Sequence, residues 1–357
     1  MELVSICIPT YNGARFLDAC LRSALAQTHA HLEVLVVDDC SSDDTLEIAQ
    51  RHATDPRLRI LRNARNQGLV GNWNECVRQA RGTWIKFLFQ DDILHPECVS
   101  EMLAEGLRQQ RRLVACDRDF LFAASTPQAL QDTYLRNRRT INDFLGPARG
   151  ASAADYAAMM AGRINVNYVG EPICTLIAAD AFKHYGDFDA EFIQLCDVEY
   201  WARIASHEGV AFVPRPLASF RVHESATSAI NRSAKAFRST GLERLALLDK
   251  ALNADIYAQL RELWAASGAL ALRHKERHDR ANEVLEFVHQ HRSAPEAANI
   301  AQEHGAFVSR HPDCKVSRLS HLRWLSVSLP LRYKYRAGRL VARFFPRSTQ
   351  SDTRTSR

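Results

Sequence analysis

The sequence predicts an α/β protein: a mainly parallel sheet flanked by helices, with a C-terminal helical appendage. Short apolar runs alternate with stretches of helical periodicity as far as Phe89. That β-α-β-α rhythm demands crossover connections and hence parallel strands. Two of the runs, Glu33 to Val37 and Trp84 to Phe89, end abruptly in paired carboxylates, Asp38-Asp39 and Asp91-Asp92. Past Asn231 the strand pattern stops, and apolar-periodic segments rich in Arg, Glu and Ala run from about Ser233 to Gln302.

Taken in order, Leu3 to Ile8 reads as the first strand, and Pro9-Thr10-Tyr11-Asn12-Gly13 is turn chemistry after it. Phe16, Leu17, Cys20, Leu21, Ala24 and Leu25 recur at helical spacing, which predicts a helix through Arg15 to Gln27. The second strand follows at Glu33 to Val37. Ser41-Ser42-Asp43-Asp44 then offers a capping signal for a helix from Thr45 to His52. Leu58 to Leu61 is a third strand, Gly71 to Ala80 a third helix, and Trp84 to Phe89 a fourth strand, apolar apart from Lys86. Leu113 to Phe122 is another strand, and the polar, Arg-rich span to Gly150 fits either an acceptor loop or plain surface. Ala218 to His223 reads as a strand with a histidine at its end.

Parallel strands send their carboxyl ends to one rim, where open α/β sheets place ligands. That geometry gathers Pro9-Thr10-Tyr11-Asn12, Asp38-Asp39, Asn66-Gln67-Gly68 and Asp91-Asp92 into one crevice. Adjacent carboxylates repel and are costly to desolvate unless a cation joins them. Hard oxygen ligands suit Mg²⁺ or Mn²⁺, with diphosphate oxygens completing the shell. The competing reading is that one Asp caps a helix begun by Pro96 while the other is solvated.

The bulk properties exclude several classes. The chain has 357 residues, 46% of them hydrophobic, and no apolar run long enough to span a bilayer. Its start enters a strand directly, without a basic region or cleavage site, so a cytoplasmic protein is expected. Nine cysteines are scattered singly, without C-x-x-C pairs, as reduced core fillers. The net charge of +5 becomes −4 once the nine Lys/Arg of residues 314–351, a stretch without Asp or Glu, are set aside. The body therefore has no nucleic-acid footprint. Neither G-x-G-x-x-G nor G-x-x-x-x-G-K-[ST] occurs, which argues against dinucleotide redox enzymes and P-loop NTPases.

An ordered set of phrases resembles the inverting family 2 glycosyltransferases of the GT-A fold, a Rossmann-like nucleotide-diphospho-sugar transferase architecture. They are Ser5-Ile6-Cys7-Ile8-Pro9-Thr10-Tyr11-Asn12-Gly13, Ser23-Ala24-Leu25-Ala26-Gln27-Thr28, Glu33-Val34-Leu35-Val36-Val37-Asp38-Asp39-Cys40-Ser41-Ser42-Asp43-Asp44-Thr45 and Phe87-Leu88-Phe89-Gln90-Asp91-Asp92. The resemblance covers roughly residues 1–225. It implies that Pro9, Thr10, Tyr11 and Asn12 line the nucleotide pocket, that Asp39 reads a base, expected to be uracil, and that Asn66 helps. Gln90-Asp91-Asp92 stands in place of the family's D-x-D motif, with Asp92 as metal ligand and Asp91 touching the donor ribose or sugar. Asn74 belongs to the implied donor contacts, although Trp73 stands before it where many relatives carry Arg. Gly170-Glu171-Pro172-Ile173-Cys174-Thr175-Leu176-Ile177 resembles the acceptor half. Cys196-Asp197-Val198-Glu199-Tyr200-Trp201 is similar to the catalytic-base helix, with Asp197 on the base and Cys196 in place of the common Glu. A His like His223 lies near the metal and diphosphate in related enzymes.

The resemblance implies a metal-dependent inverting transferase of hexosyl or N-acetylhexosaminyl type. It would use Mn²⁺ or Mg²⁺ and move a sugar from a UDP-sugar to a glycan or lipid-linked acceptor in bacterial surface polysaccharide or glycoconjugate synthesis. Residues 1–230 would form the GT-A domain, with a donor half to about 112 and an acceptor half from about 113, and 231–330 a helical region. The basic tail, 331–357, would place Arg332, Arg336, Arg339 and Arg343 on one helical face beside Tyr333, Leu340 and Phe344, a pattern suited to the inner membrane face. On the helix of Asp197, Glu199 is expected to point to another face and to matter much less. Two alternatives stand beside this reading: a non-catalytic sugar-nucleotide scaffold on the same fold, and a Mg²⁺-binding receiver-like domain. The second would want its Asp pair after the first strand.

Overall fold

Fully buried runs become strands at the centre of the sheet. In the computed structural model, which describes residues 2–146, 150–223 and 241–328, β1 (Val4–Thr10) and β2 (Leu32–Asp38) are buried at every position. With α1 (Leu17–Leu25), α2 (Thr45–Gln50), β3 (Leu58–Arg62), α3 (Gly68–Gln79) and β4 (Trp84–Phe87) they realise the alternation read from the sequence. These four strands pair in parallel in the order β3-β2-β1-β4.

Beyond β4 the sheet becomes mixed. A short β5 (Ile93–Leu94), α4 (Cys98–Gln109) and β6 (Leu113–Phe122) are followed by α5 (Gln128–Asn137), α6 (Asn142–Leu145), β7 (Gly150–Ala151) and α7 (Ala153–Gly162). Then come β8 (Thr175–Ala178), α8 (Ala179–Tyr185), α9 (Cys196–Glu208) and β9 (Val210–Val222). β8 lies antiparallel between β4 and β6, and β9 runs parallel to β6 and antiparallel to β5. The return of β9 to β5 brings His223 to the acidic end of β4.

Side chains from α1 (Leu17, Cys20, Leu21) and α4 (Val99, Met102) pack on one sheet face against Ile6, Ile8, Val34 and Val36. Lys86 is fully buried in β4, and its amine donates to the carbonyls of Ile173 and Thr175. All nine cysteines are unpaired, and all but Cys40 are buried.

Two element ends differ from expectation. β1 continues through Pro9 and Thr10, which read as turn residues. Leu88 N–H donates to Cys7 O, whereas Asp39 N–H donates to Thr10 O. The pleat thus turns Pro9 toward the β4 side, past the last β1–β4 partners, Cys7 and Phe87. A residue without an N–H costs no ladder bond there. β4 in turn stops at Phe87, because Phe89 O accepts from Asp92 N–H and closes a turn.

The chain divides into two compact units, Met1–Arg273 and His274–Arg357. The boundary expected at 230/231 therefore falls later. Two helices of the expected appendage, α10 (Glu243–Asn253) and α11 (Ala258–Ala266), belong to the first unit. Trp264 Nε1, for example, donates to Ala161 O. The second unit holds most of α12 (Leu270–Gln290), then α13 (Ala297–Arg310) and a last described helix, α14, over residues 318–328, with no strand among its described residues. No helix among the described residues is long and apolar enough to cross a membrane. The basic tail at 331–357 lies outside the described residues.

Candidate functional site

The loops at the carboxyl ends of β1, β2, β3 and β4 are tied to one another by side chains. Gln90, the residue that departs from a strict D-x-D, pairs both ways with the Tyr11 backbone: Tyr11 N–H donates to its Oε1 at 2.8 Å, and its Nε2 donates to Tyr11 O at 3.1 Å. Gly13 makes room for it, since a Cβ there would lie 2.2 Å from Gln90 Oε1. Asn12 adopts φ +49°, a conformation Asn tolerates better than most residues. Its N–H donates to Ser41 Oγ, and its Oδ1 accepts from Ser42 N–H at 2.8 Å. Tyr11 itself stands 51% exposed, a free ring on the lip of the crevice. Pro9 and Thr10 are buried in the strand below.

Asp39 is buried, and its carboxylate organises the loop after β3. It accepts from Asn63 Nδ2 and Gln67 N–H, each at 2.8 Å, and from Gly68 N–H at 2.9 Å. Asn66 closes the ring by donating to Asp39 O at 3.1 Å. Asp39 and Asn66 are thus brought together.

At the end of β4 the two carboxylates part. Asp92 is 1% exposed, and its Oδ1 accepts the Arg221 backbone N–H at 2.7 Å. Its Oδ2 is buried without any hydrogen-bond partner. Burial first, and then the neighbouring Asp91 charge, push its pKa well above the usual carboxylate range. Asp91 Oδ2 lies 2.8 Å from His223 Nε2, and the other ring nitrogen, His223 Nδ1, is likewise buried and unpartnered. Phe16 lies against the His223 ring at 5.0 Å and beneath the Arg221 guanidinium at 4.6 Å. Neither Asp caps a helix: α4 starts only at Cys98, after β5.

Orphaned buried polar atoms are costly. One carboxylate oxygen and one imidazole nitrogen at the same strand end, with the histidine's second nitrogen held by a carboxylate, form a donor set that suits a divalent cation. Asp92 and His223 therefore fit as ligands. Asp91, expected at the donor sugar, spends one oxygen on orienting His223.

Asp197 sits in the first turn of α9, half-buried. Its Oδ1 accepts from Val198 N–H at 2.7 Å and its Oδ2 from Asn167 Nδ2 at 2.9 Å. Desolvation outweighs these bonds and raises its pKa to about 7, with the Glu171 charge adding to the rise. Glu171 also raises Asp92, so its field reaches both carboxylates; it is itself paired with Arg118 at 2.6 Å. The approach to α9 is held by Glu243, whose carboxylate accepts from the backbone N–H groups of Ile193, Gln194 and Leu195, each at 2.9 Å.

Asn167, Glu171 and Glu243 were not among the residues singled out from the sequence. Glu171 lay inside a quoted phrase. Glu243 comes from a distant helix with no local signal. Asn74 was singled out as a donor contact, but its amide is committed to the Phe188 backbone, Nδ2 to the carbonyl at 2.8 Å and Oδ1 from the N–H at 3.0 Å. Glu199 is no spare carboxylate either. It is buried, pairs with Arg203 at 2.8 Å and accepts from Tyr257 Oη at 2.9 Å.

A mixed sheet with this rim defines a nucleotide-sugar transferase architecture of the GT-A kind. The family model for glycosyl transferase family 2 matches residues 5–165, and the chain belongs to that family. An uncharacterised protein of Mycobacterium tuberculosis is 33% identical over 229 residues, 63% of this chain and 68% of the relative. Escherichia coli chondroitin synthase is 45% identical over 106 residues, 29% of this chain but only 15% of the synthase. In fold the chain is similar to Staphylococcus aureus TarS in complex with UDP-GlcNAc (TM-score 0.51, 15% identity, 91% of this chain and 79% of that one). It is also similar to the Pyrobaculum calidifontis mannosyltransferase PcManGT in complex with GDP-Man and Mn²⁺ (TM-score 0.53, 16% identity, 91% and 86%).

Proposed function

We propose that the chain is a metal-dependent inverting glycosyltransferase that moves a sugar from a UDP-sugar to a hydroxyl of a glycan or lipid-linked acceptor, in the making of a bacterial surface polysaccharide or glycoconjugate. The observation that carries this reading is the pair of buried, unpartnered atoms at the end of β4, Asp92 Oδ2 and His223 Nδ1, where a nucleotide diphosphate would meet a cation. The UDP-GlcNAc complex of TarS, the Mn²⁺ complex of PcManGT and the stretch similar to chondroitin synthase support it.

Asp92 and His223 would hold Mn²⁺ or Mg²⁺, which supplies positive charge against the departing diphosphate. The Tyr11-Asn12 loop and the Asp39-Asn66 ring give the nucleotide a preformed floor. Asp197 takes the proton of the acceptor hydroxyl as that oxygen bonds to the anomeric carbon on the face opposite the diphosphate. Its elevated pKa keeps the carboxylate basic enough for the task at neutral pH. Asn167 fixes one carboxylate oxygen and thereby aims the other. A single displacement of this kind inverts the anomeric centre and requires no covalent enzyme intermediate.

Mass-spectrometric detection of UDP released from a panel of UDP-sugars, with and without Mn²⁺, tests the reading. Mn²⁺-dependent release from at least one donor is expected. Absence of both release and Mn²⁺-dependent UDP binding would overturn it.

A further inference from the structure

The second unit carries a cluster that the transferase reading does not use. Glu286 and His289 are three residues apart on α12 and so share a face, and His321 comes to them from α14. One ligand atom from each of the three lies within 4.8 Å of the other two. His321 is 4% exposed. Its Nδ1 faces Asn282 Oδ1 at 3.0 Å, and its Nε2 lies 3.2 Å from Glu286 Oε2.

The Asn282 amide is not free to turn, because its Nδ2 donates to the His278 carbonyl at 2.8 Å. Its oxygen is therefore presented to His321 Nδ1, and with Nδ1 donating to it Nε2, 3.2 Å from Glu286 Oε2, is the nitrogen that would bind a cation in place of a proton. A carbonyl oxygen behind one ring nitrogen, with a carboxylate facing the other, is how proteins orient a metal-binding histidine.

We propose that Glu286, His289 and His321 form a binding site for a borderline transition-metal cation, Zn²⁺ being the best match, that ties α12 to the last described helix. Two imidazoles and one carboxylate suit Zn²⁺, whereas Mg²⁺ demands an oxygen shell. The local packing gives the metal a purpose. The only described residues that α12 buries are Ala281, Asn282 and Val284, and those that α13 buries are Ile300 and Phe307. A thin apolar core gains much from a metal staple.

The test uses the full chain, stripped of metal and titrated with Zn²⁺ against a chromogenic chelator. It is run in an Asp92→Asn background so that the donor site does not contribute. About one tight Zn²⁺ per chain is expected there. His289 is exposed, so His289→Ala leaves packing intact and should weaken Zn²⁺ binding at least about tenfold. Zn²⁺ should also raise the melting temperature of the parent but not of His289→Ala. No tight Zn²⁺ binding in the Asp92→Asn protein, or binding that His289→Ala leaves unchanged, would overturn the proposal. Unaltered UDP release by His289→Ala in an otherwise unmodified chain separates this site from the transferase chemistry.

Discussion

His223 Nε2 lies 2.8 Å from Asp91 Oδ2, while Asp92, one residue further on, accepts a hydrogen bond from the Arg221 backbone N–H on Oδ1 and leaves Oδ2 buried without a partner. The two adjacent carboxylates therefore differ in kind: one steadies a histidine, the other lacks a counter-charge. Asp92→Asn keeps the shape and removes the anion. UDP binding should lose its Mn²⁺ dependence and transfer should fall by about 10²-fold or more. Calorimetry of UDP with and without Mn²⁺ reads the first, and retained metal dependence would move the cation elsewhere.

In the proposed metal site Asp91 would act through His223, to which it is hydrogen-bonded, so its loss should be graded. Asp91→Asn keeps a hydrogen-bond acceptor for Nε2 but no charge. Mn²⁺ affinity, measured in the presence of UDP, should weaken by about 10- to 100-fold, and saturating Mn²⁺ should restore most of the turnover. A loss that Mn²⁺ cannot rescue would instead put Asp91 on the donor sugar, as the sequence resemblance suggests.

The sheet was legible because β1, β2 and β4 are buried at every position and are therefore mainly apolar. Lys86 interrupts the β4 run, and its carbonyl partners, Ile173 and Thr175, are remote in sequence. The strand-end carboxylates were legible as a motif, but their division of labour was not, since it depends on β9 returning His223 and the Arg221 amide to them. Asn74 and Glu199 have long-range partners, the Phe188 backbone and the Tyr257 hydroxyl, that no local pattern announces.

Glu199 therefore yields a prediction about stability rather than chemistry. The sequence expects it to point to another face than Asp197 and to matter much less for transfer. In the fold its carboxylate holds Arg203, which in turn donates to the carbonyls of Tyr185 and Asp187. Glu199→Gln leaves a buried guanidinium without its counter-charge and should cost about 2–3 kcal/mol. Denaturant unfolding measures this. Transfer per folded molecule should stay within a few-fold of the parent, which separates the role from that of a base.

The tail yields a prediction from sequence alone. Residues 332–347 carry six Lys/Arg interleaved with Tyr, Leu and Phe, and basic residues near anionic lipid contribute about 1 kcal/mol each. Removing everything after Ser328 should abolish co-sedimentation with anionic vesicles while leaving UDP binding intact. Equal sedimentation of the truncated and full chains would refute an attachment at the inner membrane face.

The proposed base, Asp197, yields the last prediction. Its carboxyl is raised to about 7, chiefly by desolvation, and a base works only when ionised. Transfer at limiting acceptor should therefore fall about tenfold per unit below pH 7 and level off above it. Asp197→Asn removes that limb together with at least about 10²-fold of the rate, while UDP-sugar binding stays near that of the parent. Stability should move the other way. A folded pKa raised above the usual 3.8 means that the folded state binds the proton more tightly than the unfolded chain. The associated stability is fully present below about pH 3.8 and is lost as the pH climbs through about 7. Above that pH the half-buried, desolvated carboxylate is a burden of at most about 4 kcal/mol. Asp197→Asn should accordingly unfold at a higher denaturant concentration than the parent at pH 8, with the gap narrowing toward pH 4. A variant that is inactive, binds donor and is more stable at pH 8 matches a desolvated base. One that is inactive and less stable would mean that the carboxylate serves the fold through Asn167 and the Val198 amide, and that the proton is taken elsewhere.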